Sequence, residues 1–491
     1  MTEGNRTARH YSQKSEVEAE SIMNRREFLR VASLSASSGV SILSGCASLV
    51  DRTAGPSTSA AKQVGDAANF SLRIAPVKLE LSPGQIIQTI GYNGSAPGPL
   101  LRMKEGQPVT VAVHNDSDVP ELVHWHGLFV PSEVDGAMEE GTPMVPPGSS
   151  RQYSFTAQPS GTRWYHTHAF AGKDLRRSLY SGQFGFFYIE PKNNPGRYDQ
   201  EVFIAIHQWD PHFVSMQDLR KGPPADNGLE VMYRAASFND KALGYGEPIR
   251  VRTGERVLFH LLNASATDDI HLALPGHSFD VVGLDGNPVP TPQTVLVLVL
   301  APAERVDAIV EMNRPGVWVF GSTEDDMRGM GMGVVIEYAG QQGKPEWSKP
   351  PSGAWDYTVF GTSAATPEPD ERFNLAFEKI PGGHGGFNRW TINGKSWPDI
   401  DPLVVKAGRR YRMVMENKSG DDHPIHLHRH TFELTRIGEK TTSGIRKDTV
   451  NLPRRQSAEI DFVADDPGLT LFHCHMQLHQ DFGFMALMKY T

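Results

Sequence analysis

Apolar and polar residues alternate in three short segments of the chain, at 109–113, 257–261 and 411–415. A period of two residues places every second side chain on one face, as in a β-strand that buries one side. An asparagine follows each segment two residues later. No long segment has the 3.6-residue period of an amphipathic helix. The pattern therefore predicts many short strands and little helix.

These three strands belong to a longer unit that occurs three times in succession. Each copy opens with a glycine turn and closes with a Pro/Gly turn that leads into an apolar strand, at 184–189, 332–338 and 484–490. Short strands separated by Gly/Pro turns are typical of β-sandwich domains. We therefore predict an all-β chain of three consecutive antiparallel β-sandwich domains, at residues 69–191, 192–345 and 346–491.

The composition is that of a globular protein with a mild excess of acidic residues. The 491 residues include 48 Lys+Arg and 57 Asp+Glu, a net charge of −9, which argues against nucleic acid as a partner. No apolar run has the length of a membrane-spanning helix. With only two cysteines, Cys46 and Cys474, a disulfide framework is excluded.

The first 46 residues have the pattern of an export signal. Residues 24–29 resemble the twin-arginine motif, and the Leu-Ser-Gly-Cys sequence that ends at Cys46 resembles a lipoprotein cleavage site. This hypothesis gives a signal at 1–46 and a flexible tether at 47–68. It also gives a protein exported to the periplasm or cell envelope and attached to a membrane surface through a lipidated Cys46. An unmodified Cys46 and a translation start at Met23 are open alternatives.

Histidine has the most unusual distribution of all residue types. Ten of the 19 histidines fall into four clusters, and imidazole is the commonest transition-metal ligand. Because residues i and i+2 of a strand face the same way, each His-X-His pair directs two imidazoles at one site. Eight such imidazoles suit three copper ions, whereas a zinc site needs only three or four ligands. The clusters are His124 with His126; His166 with His168; His423 with His426 and His428; and His473 with His475 and His479.

Cys474 lies between two of these cluster histidines and faces the opposite way on a strand. With His423 and His479 it completes the Cys plus two His set of a blue-copper electron-transfer site. An electron at this site has a short covalent path to the cluster ligands on either side. The second unit has Phe-Gly-Ser at 320–322 where the other two have His-X-His, so we predict no copper ligands there.

The four clusters, in this order and with Cys474 inside the last, resemble the three-domain multicopper oxidases, which include laccases and cuprous oxidases. The resemblance covers residues 69–491. It implies three cupredoxin-like Greek-key domains, four copper ions, and reduction of dioxygen to water by single electrons from a donor. It also implies which residues bind each metal. His423, Cys474 and His479 would hold the blue copper; His124 and His426 a single copper; His126, His166 and His475 one ion of a coupled pair; and His168, His428 and His473 the other.

The resemblance further implies how electrons reach the cluster. They would enter at an exposed edge of His479, and Cys474 would relay them. The axial position of the blue copper is often Met in the family but is Phe484 here, as in high-potential fungal laccases. Phenylalanine cannot donate to copper, which favours a high potential. Met485, one residue further, is an alternative axial ligand.

Dioxygen reduction also consumes protons, and one acidic residue matches the family at the place where protons are delivered. Asp135 lies in the matching segment 124–136 and would act as a proton relay. The alternative is a turn residue before Gly136. Bacterial relatives often carry a Glu directly after the second blue-copper His, but this chain has Gln480 there. Asp481 is a weaker candidate for that second relay.

These features favour a laccase-like oxidase that works as a monomer and takes single electrons from phenols or aromatic amines. The second hypothesis is a periplasmic metallo-oxidase that acts on Cu(I), Mn(II) or Fe(II). Three methionines near acidic residues, Met327, Met330 and Met332, suit either Cu(I) binding or packing, and packing is favoured. A copper-free cupredoxin-like envelope protein and a copper nitrite reductase are further alternatives that the intact ligand set disfavours.

Overall fold

The computed structural model describes residues 68–192, 197–215, 228–351, 353 and 355–491. The proposed signal at 1–46, with Met23 and Cys46, lies outside these residues, as does the tether 47–68 apart from its last residue. Within the described ranges, no helix combines the length and the apolar character that crossing a membrane requires.

The first unit is a sandwich of two four-stranded sheets, ordered β2-β1-β4-β6 and β3-β8-β7-β5. Its own apolar core is built from alternate residues of these strands and includes the fully buried Trp125. The strands are β1 Phe70–Ser82, β2 Gln85–Tyr92, β3 Leu101–Lys104, β4 Pro108–Asn115, β5 His124–His126, β6 Ser149–Thr156, β7 Gly161–His166 and β8 Phe184–Glu190.

The second unit pairs a six-stranded sheet, β12-β9-β14-β19-β16-β17, with a five-stranded sheet, β13-β21-β20-β15-β18. Two further strands of this stretch, β10 and β11, form a hairpin that joins a sheet of the third unit. The strands are β9 Gln200–Trp209, β10 His212–Ser215, β11 Leu229–Met232, β12 Ala235–Phe238, β13 Ile249–Val251, β14 Arg256–Asn263, β15 Ile270–Ala273, β16 Phe279–Leu284, β17 Asn287–Val295, β18 Leu298–Leu300, β19 Arg305–Glu311, β20 Val317–Ser322 and β21 Gly333–Tyr338.

The third unit has an eight-stranded sheet, β10-β11-β23-β22-β25-β30-β27-β28, and a five-stranded sheet, β24-β32-β31-β26-β29. Its strands are β22 Glu371–His384, β23 Phe387–Ile392, β24 Leu403–Val405, β25 Arg410–Asn417, β26 His423–Leu427, β27 Phe432–Ile437, β28 Lys440–Lys447, β29 Thr449–Leu452, β30 Ser457–Val463, β31 Thr470–Cys474 and β32 Met485–Tyr490.

Helix is sparse in the described residues, as the hydrophobic pattern predicts. Two α-helices of one turn are present, α1 at Asp325–Gly329 and α2 at Gln477–Asp481. The 3₁₀ turns are Ser132–Val134, Met138–Glu140, Ser178–Tyr180 and Tyr357–Phe360.

Strand pairing confirms the prediction of an all-β chain of sandwiches, and it adds one detail to the expected antiparallel pattern. In each unit the first long strand pairs in parallel with the strand of alternating residues, as β1 does with β4 and β22 with β25. Most other pairs are antiparallel. The hairpin β10–β11 reaches the third unit through a parallel bridge of Leu229 with Phe387. The domain boundaries 69–191, 192–345 and 346–491 stay predictions. The hairpin belongs to residues 192–345 in the sequence, but its strands are part of a sheet of the third unit.

The repeated asparagine has the same structural role in all three units. Asn115, Asn263 and Asn417 are buried, and each side-chain amide donates to carbonyls of the loop that follows. Each side-chain oxygen accepts the backbone N–H of the serine two residues later. These bonds fix the turn that leads into β5, β15 or β26. In the first and third units, that strand carries histidines.

Candidate metal centre

Three predicted ligands form a compact triangle in the third unit. The Cys474 Sγ lies 3.7 Å from His423 Nδ1 and 3.5 Å from His479 Nδ1, and the two nitrogens are 3.2 Å apart. A metal in the plane of three donors, with bonds of about 2.0–2.3 Å, spaces those donors by about 3.5–4.0 Å. The Ser419 Oγ lies 2.8 Å from His423 Nε2, which leaves Nδ1 directed at the triangle. This donor set fits a blue copper.

The residues around this triangle decide between the two candidate axial side chains. Phe484 is fully buried and its ring centroid lies 4.9 Å from that of His423. Met485 points to the other face of β32, where it packs with Ala137 and Leu471 in a separate apolar cluster. The structure therefore places Phe484, and not Met485, beside the predicted ligands.

The expected exposure of His479 is wrong. This residue is only 3% exposed, because the ring of Trp390 lies over it with centroids 3.9 Å apart. The helix that carries His479, α2, also packs against β23, which carries Trp390, and against the turn Ser178–Tyr180. The sequence carries no signal for this cover, because Trp390 is distant from His479 in the chain and has no metal-binding group. The role of His479 as the point where electrons enter stays a prediction.

The other predicted ligands come together between the first and third units. Antiparallel pairing places His124 opposite His166 in the first unit, and His426 opposite His473 in the third. Neighbouring ring centroids within the group are 3.7–6.1 Å apart. All eight rings are buried, and they belong to His124, His126, His166, His168, His426, His428, His473 and His475.

Hydrogen bonds hold one nitrogen of most rings and leave the other directed into the group. Backbone carbonyls accept from Nδ1 of His124, His166, His426 and His473. Several remaining nitrogens have no hydrogen-bond partner among the described residues: Nε2 of His124, Nε2 of His426 and both nitrogens of His168 and of His475. Buried imidazole nitrogens without partners, converging on one space, fit a group of metal ions.

Burial also keeps these ligands in the protonation state that a metal requires. It lowers the pKa of seven of these imidazoles, that of His428 to about 4, so these seven rings are neutral at pH 7. They belong to His126, His166, His168, His426, His428, His473 and His475. Burial raises the pKa of the Cys474 thiol. A metal must therefore displace the thiol proton on binding. The partition of the eight imidazoles among three ions stays a prediction because the rings share one space.

The predicted proton relay lies directly against the cluster ligands. Asp135 is fully buried, and its Oδ2 accepts from His428 Nδ1 at 2.8 Å. Burial alone would raise the pKa of Asp135, but the neighbouring His124 and His428 rings hold it well below its usual value. Its Oδ2 also lies 3.2 Å from His124 Nδ1, and its backbone carbonyl accepts from the same nitrogen, so the side chain of Asp135 contacts two predicted ligands.

Two buried carboxyl groups beside the cluster are not predicted by the sequence. The Glu140 carboxylate lies 3.3 Å from His428 Nδ1, and burial together with the Asp135 charge raises its pKa well above the usual value. The Asp448 Oδ1 accepts from His126 Nε2 at 3.1 Å. Neither residue has a spacing that marks it in the sequence. Only the fold brings each of them to a ligand.

Two other residues near the ligands have structural contacts. The Asp481 carboxylate accepts the backbone N–H groups of Ala171 and Gly172, which ties α2 to the first unit rather than to the cluster. His430 is bonded to the His428 carbonyl and to the Tyr490 hydroxyl, in agreement with a structural role.

The methionine segment includes α1 and leads into β21. Met332 is buried in the core, whereas Met327 on α1 borders a small pocket with Gln208, Asp268 and Glu324. Gln208 Nε2 donates to Asp268 Oδ2 at 2.7 Å and lies 3.8 Å from the Met327 sulfur. The Gln208 Oε1 is buried without a partner among the described residues. Met327 and Met330 also pack against the core that contains Met332, in agreement with the favoured packing role, and Met327 borders the pocket in addition.

Comparisons with known proteins agree with this architecture. Family models described as multicopper oxidase match residues 74–194, 215–335 and 373–491. The multicopper oxidase MmcO of Mycobacterium tuberculosis is 29% identical over 458 residues, which cover 87% of this chain and 88% of that protein. Laccase-1 of Cryptococcus neoformans is 25% identical and covers 81% of this chain and 76% of its own length.

A solved structure supports the same conclusion. The crystal structure of a multicopper oxidase from Pseudomonas thermotolerans superimposes with a TM-score of 0.68 at 26% identity, over 87% of this chain and all of that one. The cupredoxin-like fold, the converging histidines and the three family matches agree. The chain belongs to the multicopper oxidase family, and it is a copper-dependent oxidoreductase with dioxygen as electron acceptor.

Proposed function

We propose that the protein is a laccase-like oxidase that takes one electron at a time from phenols or aromatic amines and reduces dioxygen to water. The observation that carries this proposal is Phe484. A buried phenyl ring beside His423 offers no axial donor. Weak axial donation favours Cu(I) over Cu(II) and therefore a high potential, which phenolic donors require.

We further propose four copper ions per chain, distributed as the family resemblance implies: His423, Cys474 and His479 hold the blue copper, and the eight other histidines hold three cluster ions. Bound copper supplies one-electron redox chemistry at the first site and dioxygen reduction at the second. The chain provides the connection, because Cys474 adjoins His473 and His475 through single peptide bonds. Four electrons and four protons per dioxygen then yield two waters.

Proton delivery is the task of residues close to the cluster. Asp135 is ionised, buried and hydrogen-bonded to His428, so it can accept a proton and pass it on without leaving its position. Glu140 lies against the same imidazole and keeps its proton because of burial and the Asp135 charge. The pair places one proton acceptor and one proton donor beside the cluster.

Electron donors pass their electrons to the blue site through His479 and the residues that cover it. Trp390 lies over this buried imidazole, so a donor contacts the covering residues and does not coordinate the metal. Electron transfer of this kind selects donors by potential more than by shape. This is the behaviour that we propose for phenols and aromatic amines.

A second candidate function is the oxidation of Cu(I), and the pocket at Met327 favours it. A thioether, a carboxylate of Asp268 and the free amide oxygen of Gln208 are donors that a soft cation can use. The backbone N–H of Gln477 on α2 donates to the Ala266 carbonyl, two residues before Asp268. A cation in this pocket would therefore be close to the helix that carries His479. Mn(II) and Fe(II) are the other metal donors of this hypothesis.

Oxygen uptake with the two classes of donor decides between these functions. Copper-loaded protein would be supplied with a phenol or, separately, with Cu(I), and Met327→Leu would be compared with Met330→Leu, which alters a methionine outside the pocket. Faster turnover with the phenol, unaffected by either substitution, supports the laccase-like function. Turnover confined to Cu(I) and reduced only in Met327→Leu supports the metallo-oxidase instead.

We also propose that the protein is exported by the twin-arginine route, works as a monomer, and is held at a membrane surface of the cell envelope through lipidated Cys46. The motif at 24–29 and the sequence that ends at Cys46 support this proposal. Mass spectrometry of the mature N-terminus tests it. An acylated Cys46 is expected, and an unmodified N-terminus at another residue would contradict it.

A further inference from the structure

The second unit carries no copper ligand in our assignment, yet it contributes charged residues to a buried contact with the cluster. Arg305 opens β19 and is fully buried. Its guanidinium binds the Asp448 carboxylate through both ends, with Nη1 2.7 Å from Oδ1 and Nη2 2.5 Å from Oδ2. Two parallel bonds of this kind fix the plane of a carboxylate as well as its position.

Asp448 in turn holds imidazoles from both halves of the cluster. Its Oδ1 accepts from His126 Nε2 at 3.1 Å, and its backbone carbonyl accepts from His426 Nδ1 at 2.7 Å. The bond to His126 Nε2 requires the proton on that nitrogen. The other nitrogen, Nδ1, is then free to bind a metal, and it lies 3.4 Å from His166 Nε2.

The surroundings of the Arg305–Asp448 pair leave it little freedom. Arg305 also donates to the carbonyls of Thr162, Ala303 and Asp285, so its fork cannot turn away from Asp448. A side chain at Gly127 would lie within 2.5 Å of the Asp448 carboxylate and 2.9 Å of the guanidinium. The residue after His126 is therefore a glycine in close contact with the pair.

We propose that Arg305 is a positioning residue for the copper cluster, which fixes the Asp448 carboxylate and thereby the orientation and tautomer of His126. The inference rests on the proposed assignment of His126 and His426 as cluster ligands. It gives the second unit a function in the reaction although that unit binds no copper. Partners of metal-bound histidines commonly change metal affinity about 10- to 100-fold when they are altered.

The test compares Arg305→Lys with Arg412→Lys. Lysine keeps the positive charge and removes the fork in both cases. Arg412 also binds a buried carboxylate at two points, through its Nε and Nη2 to Asp461, but Asp461 is bonded to Arg410 and Arg412 instead of a histidine. Each variant is loaded with copper, and copper per chain, the cupric electron paramagnetic resonance spectrum and the visible copper–thiolate absorption are measured.

We expect Arg305→Lys to keep the visible absorption per chain, while the copper concentration needed to fill the cluster rises about 10- to 100-fold. Arg412→Lys should change neither quantity. An unchanged cluster affinity in Arg305→Lys would overturn the proposal. So would a parallel loss of cluster copper and visible absorption, because a purely structural role affects both sites. Wild-type protein without visible absorption would instead contradict the proposed function.

A second measurement covers the case in which Arg305→Lys does not fold. Copper-free wild-type protein labelled with nitrogen-15 in histidine reports the tautomer of each ring by NMR, and His126→Gln identifies the signal of His126. The proposal requires a single tautomer with the proton on Nε2. A proton on Nδ1, or exchange between the two tautomers, would show that the Arg305–Asp448 pair does not orient this ring.

Discussion

Replacement of Asp135 by asparagine tests the proton relay with little change in shape. The amide oxygen of Asp135→Asn can still accept the His428 Nδ1–H bond, which is 2.8 Å long in the native protein. It cannot take up a proton. The native carboxylate can, because the His124 and His428 rings keep it in the ionised form, which is the proton acceptor, despite burial. The substitution therefore removes proton transfer and keeps the ligand in place.

The expected effect is large and confined to turnover. A positioned acid or base contributes about 10²–10⁴-fold to a rate, so kcat for oxygen uptake should fall at least about 100-fold, or about 2.7 kcal/mol in the barrier. Copper per chain and the visible absorption should stay unchanged. The solvent deuterium isotope effect on kcat should increase, because proton transfer becomes rate-limiting.

Asp481→Asn is the matched control for this experiment. Its carboxylate binds the backbone of Ala171 and Gly172 and lies off the cluster. We expect a change of no more than a few-fold in kcat, together with a loss of stability. Our account of proton delivery is refuted if Asp135→Asn retains full copper and native kcat, or if Asp481→Asn is the variant with the larger loss.

Three further predictions concern other parts of the molecule. Phe484→Met should lower the blue-copper potential in a redox titration and slow the oxidation of high-potential phenols, at a stability cost below about 1.5 kcal/mol, because the volumes are similar. Burial lowers the pKa of His207 and of His430 to about 4, against about 6.5 when unfolded. Both groups are neutral in the folded state, so the unfolded state binds more protons and stability is lost as pH falls from about 6.5 to 4. At pH 5, the free energy of unfolding measured with urea should therefore be about 2 kcal/mol lower for each of these two histidines than at neutral pH. In a competition assay with a Cu(I) chelator, Met327→Leu should bind Cu(I) more weakly than the wild type, whereas Met330→Leu should bind it as well as the wild type.

The fold was predictable wherever the information is local. Alternation at 109–113 and its two repeats reports strands that bury one face, and each is found in β4, β14 or β25. The sheet that the hairpin β10–β11 joins could not be predicted. Its bridge joins Leu229 to Phe387, and no local pattern specifies a partner so far along the chain.

In the candidate site, too, the features set by local sequence could be predicted and those set by long-range contacts could not. The candidate ligands could be predicted because metal binding imposes residue type and spacing within one or two strands, as in the segment from His473 to His475. Trp390, Glu140 and Asp448 act through contacts made by the folded chain, and their types alone carry no signal. The choice between the two candidate axial residues of the blue copper required the structure for another reason. Phe484 and Met485 are adjacent, and only the facing of β32 distinguishes them.

The central claim is that Cys474, His423 and His479 hold a blue copper that is joined through one strand to a copper cluster. Its most direct test is the visible spectrum and copper content of fully loaded wild-type protein beside Cys474→Ser. We predict an intense copper–thiolate absorption and four copper ions per chain in the wild type. Cys474→Ser should lose this absorption and keep the cluster copper. Wild-type protein that is fully loaded with copper and shows no such absorption would contradict the claim.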